Sequence, residues 1–240
     1  YGGQDLPLSV VVMINEIWHS TNMSFATNNM LTQGAVELLE SHGNDKQKEY
    51  YLPNLISGKW SGTMNLTEPH AGSDLSSIKT KAIEKDKKFL IKGTKIYITH
   101  GDQDMSDNII HLVLAKLPNA PEGVKGISLF LVPKYYLNDK GTKVKNDIKV
   151  VSVEHKLGHH ASPTCVLSFG ENEGAIGELV GEPNQGLKAM FTMMNNARLN
   201  VGVQGLAISE RAYQKALNFS RERIQGYSLN KKITRPVEII

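Results

Sequence analysis

The chain of 240 residues holds a single cysteine, Cys165. It therefore forms no internal disulfide, and its composition fits a reducing compartment. No apolar run reaches the roughly 18 residues needed to cross a bilayer, and the first residues do not read as a basic-then-apolar signal segment. There is no internal repeat, no low-complexity tract and no nucleophile-elbow motif around a serine. An excess of one charge is also missing: 27 basic and 24 acidic residues leave +3. That balance argues against nucleic acid or an anionic membrane as the main partner, so any anion site has to come from local geometry. What remains is an ordinary globular composition, 40% hydrophobic and 21% charged, in a chain long enough to bury a core.

The apolar pattern changes period twice. Val11, Val12, Ile14 and Ile17 crowd one side of a helical segment starting near Ser9, and Ala35, Val36, Leu38 and Leu39 carry a second that stops at Gly43. A third begins after Asn44-Asp45, good N-cap residues, and runs to Gly58. Strand-type alternation then takes over at Lys79–Ile83, Phe89–Ile98, Ile109–Ala115, Ile127–Val132, Ile148–Val153 and Cys165–Phe169, broken by Gly, Pro, Asn and Asp. With no long helical pattern between them, these strands predict an antiparallel barrel or sandwich. Cys165 lies in one of them and reads as core packing rather than a nucleophile. After Pro183 the helical period returns through Leu187, Met190, Met194, Leu199, Val203, Leu206 and Leu217 to Gly226. A helix of about 40 residues is on the order of 60 Å long, which calls for partner helices beyond those the chain supplies. The expected class is α+β: a partial N-terminal helical region over 1–58, a β-barrel or sandwich over 59–182, and the first helix of a C-terminal bundle over 183–240. Tyr1-Gly2-Gly3 reads as a loop in progress and Pro236 to Ile240 has no cap, so both ends are expected to be cut.

Two segments concentrate chemistry-bearing residues. In Met64-Asn65-Leu66-Thr67-Glu68-Pro69-His70-Ala71-Gly72-Ser73-Asp74-Leu75 a strand end enters a tight loop with two hydroxyls and a glycine that lets backbone approach a ligand. In Lys92 to Gly101 a strand ends in Tyr97-Ile98-Thr99-His100. Each alone is a polar turn. Three more stretches accompany them: Gly158-His159-His160-Ala161-Ser162-Pro163-Thr164, then Val180-Gly181-Glu182-Pro183-Asn184-Gln185-Gly186-Leu187, then Asn195-Asn196-Ala197-Arg198 with Gly202 and Arg221-Glu222-Arg223. In wording and order the five resemble the acyl-CoA dehydrogenase flavoproteins, with their TEP-x-AGSD loop and aromatic-Ile-Thr-x-Gly strand end. The wording is most similar to a bacterial medium- and long-chain branch that includes a 3-methylthiopropanoyl-CoA dehydrogenase.

The resemblance implies a middle β-domain followed by a four-helix bundle, with FAD between them. It implies that Met64, Asn65, Leu66 and Thr67 meet the pyrimidine side of the flavin. Thr99 is then near flavin N5, with Tyr97 and Ile98 against the ring and Ser73 where cofactor and acyl-CoA approach each other. Asn195 and Arg198 fall where the family contacts acyl-CoA, and Arg223 matches an arginine that meets the FAD pyrophosphate, shifted by one residue. Tyr97 stands where many relatives have Trp, and His70 where several have Gly. The implied reaction removes an α-proton with a carboxylate and passes hydride from the β-carbon to flavin N5, giving a trans-2-enoyl-CoA.

The base is not legible in the chain. Ala197 stands where some relatives carry glutamate, and most place it later, beyond Ile240. Glu210 and Glu222 lie too far along the helix from Arg198 and read as solvated faces or salt bridges. The isolated chain is therefore expected not to turn over acyl-CoA. No metal is expected: His155, His159 and His160 lack a completing ligand. Met190, Met193 and Met194 read as core or acyl-pocket wall. The resemblance further implies an electron-transfer flavoprotein as electron acceptor and a homodimer or homotetramer, in a bacterial cytoplasm or, in a eukaryote, a mitochondrial matrix. Rival readings are an acyl-CoA oxidase, a catalytically dead binding module and a DNA-binding alkylation-response flavoprotein. Against the last, the runs Lys85-Asp86-Lys87-Lys88 and Lys231-Lys232 are short and isolated.

Overall fold

A computed structural model describes residues 4, 6–86, 88–227 and 236–238. Lys87, Lys231-Lys232 and most of the two termini, including Tyr1-Gly2-Gly3, lie outside the described residues. The chain forms two compact units. One comprises 24–199 with the first five residues, and the other joins Leu6–Met23 to Asn200–Ile240. No described helix is long and apolar enough to cross a membrane.

Helix α1 (Leu8–His42) is two helices in series, broken where Asn22 leaves helical geometry at φ −148°, ψ 91°. This break separates the first two expected segments. Helix α2 (Asp45–Ile56) starts with a capping box: Gln47 N–H donates to Asn44 Oδ1 at 3.0 Å, and Asn44 N–H donates to Gln47 Oε1 at 3.1 Å.

The larger unit is built on an eight-stranded sheet. Its strands are β1 (Trp60–Asn65), β2 (Lys81–Lys85), β3 (Lys88–Thr99), β4 (Asn108–Lys116), β5 (Ile127–Pro133), β8 (Ile148–Val153), β9 (Thr164–Phe169) and β10 (Ala175–Val180). They run in the order β1-β4-β5-β10-β3-β9-β8, with β2 beside β3. A separate hairpin joins β6 (Tyr135–Leu137) to β7 (Lys143–Lys145). Pairing is antiparallel except between β1 and β4 and at one Lys81–Lys116 bridge. The exception has a topological cause. The whole β2–β3 hairpin lies between β1 and β4, which gives the long crossover that parallel partners need.

Strands β4 and β5 are buried along nearly their whole length because they divide two cores. Ile110, Leu112, Leu114, Ile127, Leu129 and Leu131 join a cluster with Leu38, Leu39 and Leu52 of the helices. The alternate residues Val113, Ala115, Phe130 and Val132 join Ile91, Cys165, Leu167 and Phe169 in a second cluster. Strands packed on both faces read as continuous apolar runs rather than alternating ones. Gly62 of β1 lies so close to α1 that a Cβ there would be 2.4 Å from Ala35 Cβ.

Helix α3 (Gly186–Glu222) ends four residues before Gly226. Gly226, at φ +70°, belongs instead to β11 (Ile224–Tyr227), which pairs with β12 (Pro236–Glu238). The expectation that α3 finds its partners outside the chain is corrected in part. In the smaller unit Asn15 Nδ2 donates to Asn200 Oδ1 at 2.7 Å, and Arg211 donates to the Ser20 carbonyl.

Candidate functional site

The two chemistry-rich segments meet. Strand β1 ends at Asn65, and the loop that follows is held to β3 by an Ile96 N–H bond to the Thr67 carbonyl at 2.9 Å. The loop turns back on itself through reciprocal backbone bonds between Glu68 and Ala71. Asp74 closes the turn by accepting from Ser76 N–H and Oγ, both at 2.8 Å. His70 lies on its outer side, 3.1 Å from the Ser77 carbonyl.

Beneath the loop is a buried ion pair. Lys95 of β3 is fully enclosed, and its Nζ lies 2.8 Å from Glu68 Oε1 and 2.9 Å from the Leu66 carbonyl. Glu68 also accepts from Lys79 N–H, Thr80 N–H and Thr80 Oγ1. Burial opposes ionisation of Glu68, but the Lys95 ammonium and these hydrogen bonds outweigh it and hold the carboxyl below its ordinary range. Burial brings Lys95 down to about 8, with Glu68 pulling the other way. Both groups are thus mainly charged at neutral pH. They tie the polar loop to the strand that carries Tyr97 and Thr99.

Strand β3 then bulges. Lys95 opposes Leu167 and Ile98 opposes Cys165, so β3 spends one residue more than β9. The bulge forces Tyr97 to φ +60°, a conformation that bulky residues rarely adopt, and leaves the residue 62% exposed. Ile98 turns inward and is buried, while Thr99 is half-buried opposite Thr164. His100 follows at φ +51°; its N–H donates to the Pro163 carbonyl and its Nε2 lies 3.3 Å from the Ser24 carbonyl.

The remaining expected site residues fall in three places. Met64 and Leu66 pack against the helix-facing core, the cluster that also holds Met190, Met193 and Met194. This makes the methionines of α3 core residues. Asn65 is buried and donates to Thr63 Oγ1 at 3.0 Å, while its Oδ1 has no partner among the described residues. Ser73 is exposed in the turn. Asn195 and Arg198 lie together on the exposed side of α3, where Arg198 donates to Asn195 Oδ1 at 3.0 Å and stacks over Phe191. Arg223 belongs to the smaller unit, just past the end of α3, and bonds to Gln225. Glu210, also in that unit, is exposed and accepts from Gln214. Cys165 is buried in β9, and burial pushes its thiol pKa up. His160 engages the Lys156 carbonyl.

Glu68 and Lys95 have roles that the motif reading does not assign. A signal for Lys95 exists, because it shares strand parity with the buried Ile91. The positive φ at Tyr97 has no signal, since tyrosine does not favour that region.

A second buried polar group crosses the barrel. His111 of β4 lies 2.7 Å from Thr63 Oγ1, and burial drives its pKa down to about 3. The imidazole is thus neutral in the fold and free to protonate, near 6.5, in the unfolded chain. Between pH 6.5 and 3 the unfolded chain binds the extra proton, so stability falls as the solution is acidified through that window. Urea midpoints taken at pH 7, 5.5 and 4 should decline in order, and His111→Gln should flatten the decline.

The polar loop and the bulged strand end coincide with regions matched by known families. Residues 1–59 match the acyl-CoA dehydrogenase N-terminal domain, and residues 63–171 match the acyl-CoA dehydrogenase middle domain. The chain is 51% identical over 242 residues to the 3-methylmercaptopropionyl-CoA dehydrogenase of Ruegeria pomeroyi, covering all of this chain and 41% of that protein. It thus spans about two-fifths of the length of that relative. Among solved structures it resembles butyryl-CoA dehydrogenase from Megasphaera elsdenii, at 27% identity and TM-score 0.73 over 89% of this chain and 53% of that one. It also resembles a chain solved in work on the electron-transferring flavoprotein of Acidaminococcus fermentans, at 28% identity and TM-score 0.81 over 94% of this chain and 56% of that one.

Proposed function

This chain belongs to the acyl-CoA dehydrogenase family, and from that premise we propose that it forms the FAD- and acyl-CoA-facing part of an enzyme converting acyl-CoA thioesters to trans-2-enoyl-CoA. The observation that carries the reading is the junction of the Met64–Thr67 segment with the bulged Tyr97–Thr99 strand end. The residues present fit FAD. A half-buried hydroxyl stands on each side, at Thr67 and Thr99. The bulge turns an aromatic ring outward. When bound, FAD supplies the hydride acceptor. Thr67 and Thr99 would orient it by hydrogen bonding, and Tyr97 would cover the ring. Asn65 and Ile98 are buried and would contribute through backbone groups. Ser73, Asn195 and Arg198 would hold the acyl-CoA, and Arg223 the FAD pyrophosphate.

The proton-abstracting carboxylate comes, in this reading, from sequence outside these 240 residues. A longer protein would add the rest of the bundle to the 1–58, 59–182 and 183–240 divisions, form a homodimer or homotetramer and pass electrons to an electron-transfer flavoprotein.

The test is the absorbance spectrum of this chain and of the full-length gene product, each with and without octanoyl-CoA. Flavin absorbance in both, bleached by octanoyl-CoA only in the full-length protein, is the expected result. A full-length protein without flavin, or with flavin that no acyl-CoA bleaches, would overturn the reading. Peroxide formation during turnover would replace the dehydrogenase assignment with an oxidase.

A further inference from the structure

The sheet ends at β8 on one side. Between that strand and the turn after β3 lies a cavity of about 290 Å³ that the proposed flavin site does not use. His111 lines it. The hydrogen bonds beside His111 suit the tautomer with its proton on Nε2. Asn65 Nδ2 donates to Thr63 Oγ1, which leaves the Thr63 hydroxyl proton available to His111 Nδ1 when the ring proton is on Nε2. With Nδ1 engaged on Thr63, Nε2 is the ring nitrogen left for the cavity.

The charges around the cavity are unbalanced. Lys134 pairs with Asp102 at 2.5 Å, and Lys149 pairs with Glu171 at 3.1 Å. Lys145 also lines the cavity, and among the described residues no acid pairs with it. Ile148, Val150 and Leu167 supply the rest of the wall. The lining thus combines hydrogen-bond donors, an unmatched cation and aliphatic side chains. That combination suits an anion with a hydrocarbon body.

We propose that this cavity binds a small aliphatic carboxylate, with its oxygens on His111 Nε2–H and the Lys145 ammonium and its hydrocarbon along Ile148, Val150 and Leu167. The cavity wall includes Gly101 and Asp102, directly after the Tyr97–His100 strand end. An occupant would therefore brace the segment to which the flavin-facing residues belong. The inference does not rest on FAD binding and can fail or succeed without it.

The experiment follows the His111 ring nitrogens by NMR in the full chain, titrated separately with hexanoate, hexanol and inorganic phosphate. Hexanoate should shift Nε2 saturably, and neither hexanol nor phosphate should match it. Lys145→Met, an exposed substitution expected to fold normally, should weaken hexanoate about tenfold, the loss of one charge-assisted contact. Equal binding of hexanol would reduce the site to an apolar hole, and equal binding of phosphate would make it a plain anion site; either overturns the proposal. So would the absence of a saturable shift, or unchanged affinity in Lys145→Met.

Discussion

Replacing Lys95 with methionine should lower the unfolding free energy by about 3–5 kcal/mol, because it strands the Glu68 carboxylate in a buried site. The side chains are similar in length, so lost packing contributes little. The double variant Lys95→Met, Glu68→Gln should recover much of the loss. Its amide removes the charge and keeps one oxygen to accept from Thr80, although its NH2 replaces the oxygen that accepted from Lys79 N–H. Urea unfolding of the wild type and the three variants checks this as a double-mutant cycle. A single Lys95→Met variant as stable as the wild type would show the pair to be idle. The pH profile provides a second check. Lys95 falls from an ordinary 10.5 to about 8 in the fold. Between those values the unfolded chain retains a proton that the folded chain has released, so this group makes stability rise with pH. Glu68 works at the acid end. Its contribution is complete above its ordinary 4.5 and is lost as pH falls through its lowered folded value. The double variant should lose both slopes.

Gly186→Ala should be nearly as damaging, by about 3 kcal/mol, the upper part of the range for overpacking. At the start of α3 a methyl group would stand 2.2 Å from the Ser128 carbonyl carbon and 2.3 Å from Leu129 N. Both are backbone atoms of β5 and cannot swing aside. The helix would have to lift, taking Met190 and Met193 out of the core. Gly202 in the same helix is the control. Nothing lies within 4 Å of its added Cβ, so Gly202→Ala should stabilise by roughly 0.5–1 kcal/mol through helix propensity. If both substitutions moved the urea midpoint in the same direction, the contact between α3 and β5 would not be what holds the helix start in place.

The strands that the sequence reveals are those whose partners are apolar. Strands β3, β4, β5, β8 and β9 lie where alternation or an unbroken apolar run places them. Of strand β1 only the end at Met64-Asn65 is legible, because its interior is polar. Ser61, Thr63 and Asn65 are buried against Ser106 and His111, and Gly62 N–H donates to Thr32 Oγ1. Strand β10 is hidden by Gly177 and by Glu178, which reaches out to Tyr51 and Gln47 of α2 instead of facing inward. The proximity of the two site segments is legible from their motifs. Their fastening is legible only in part: strand parity points Lys95 inward, but a tyrosine held at positive φ by the register with β9 leaves no signal.

The break at Asn22 bears on the order in which the chain can assemble. The smaller unit draws Leu6–Met23 and everything after Leu199 from opposite ends of the sequence, and the Asn15–Asn200 bond spans a sequence separation of 185 residues. On a ribosome the first helix emerges long before its partner exists, with Met13, Ile17 and Trp18, exposed even in the finished fold, facing water. The barrel, whose neighbours are closer in sequence, can close first. The N-terminal helix is then a late passenger that docks only after α3 has been made. Until then it is open to a holdase chaperone, and slowed translation would lengthen that exposure.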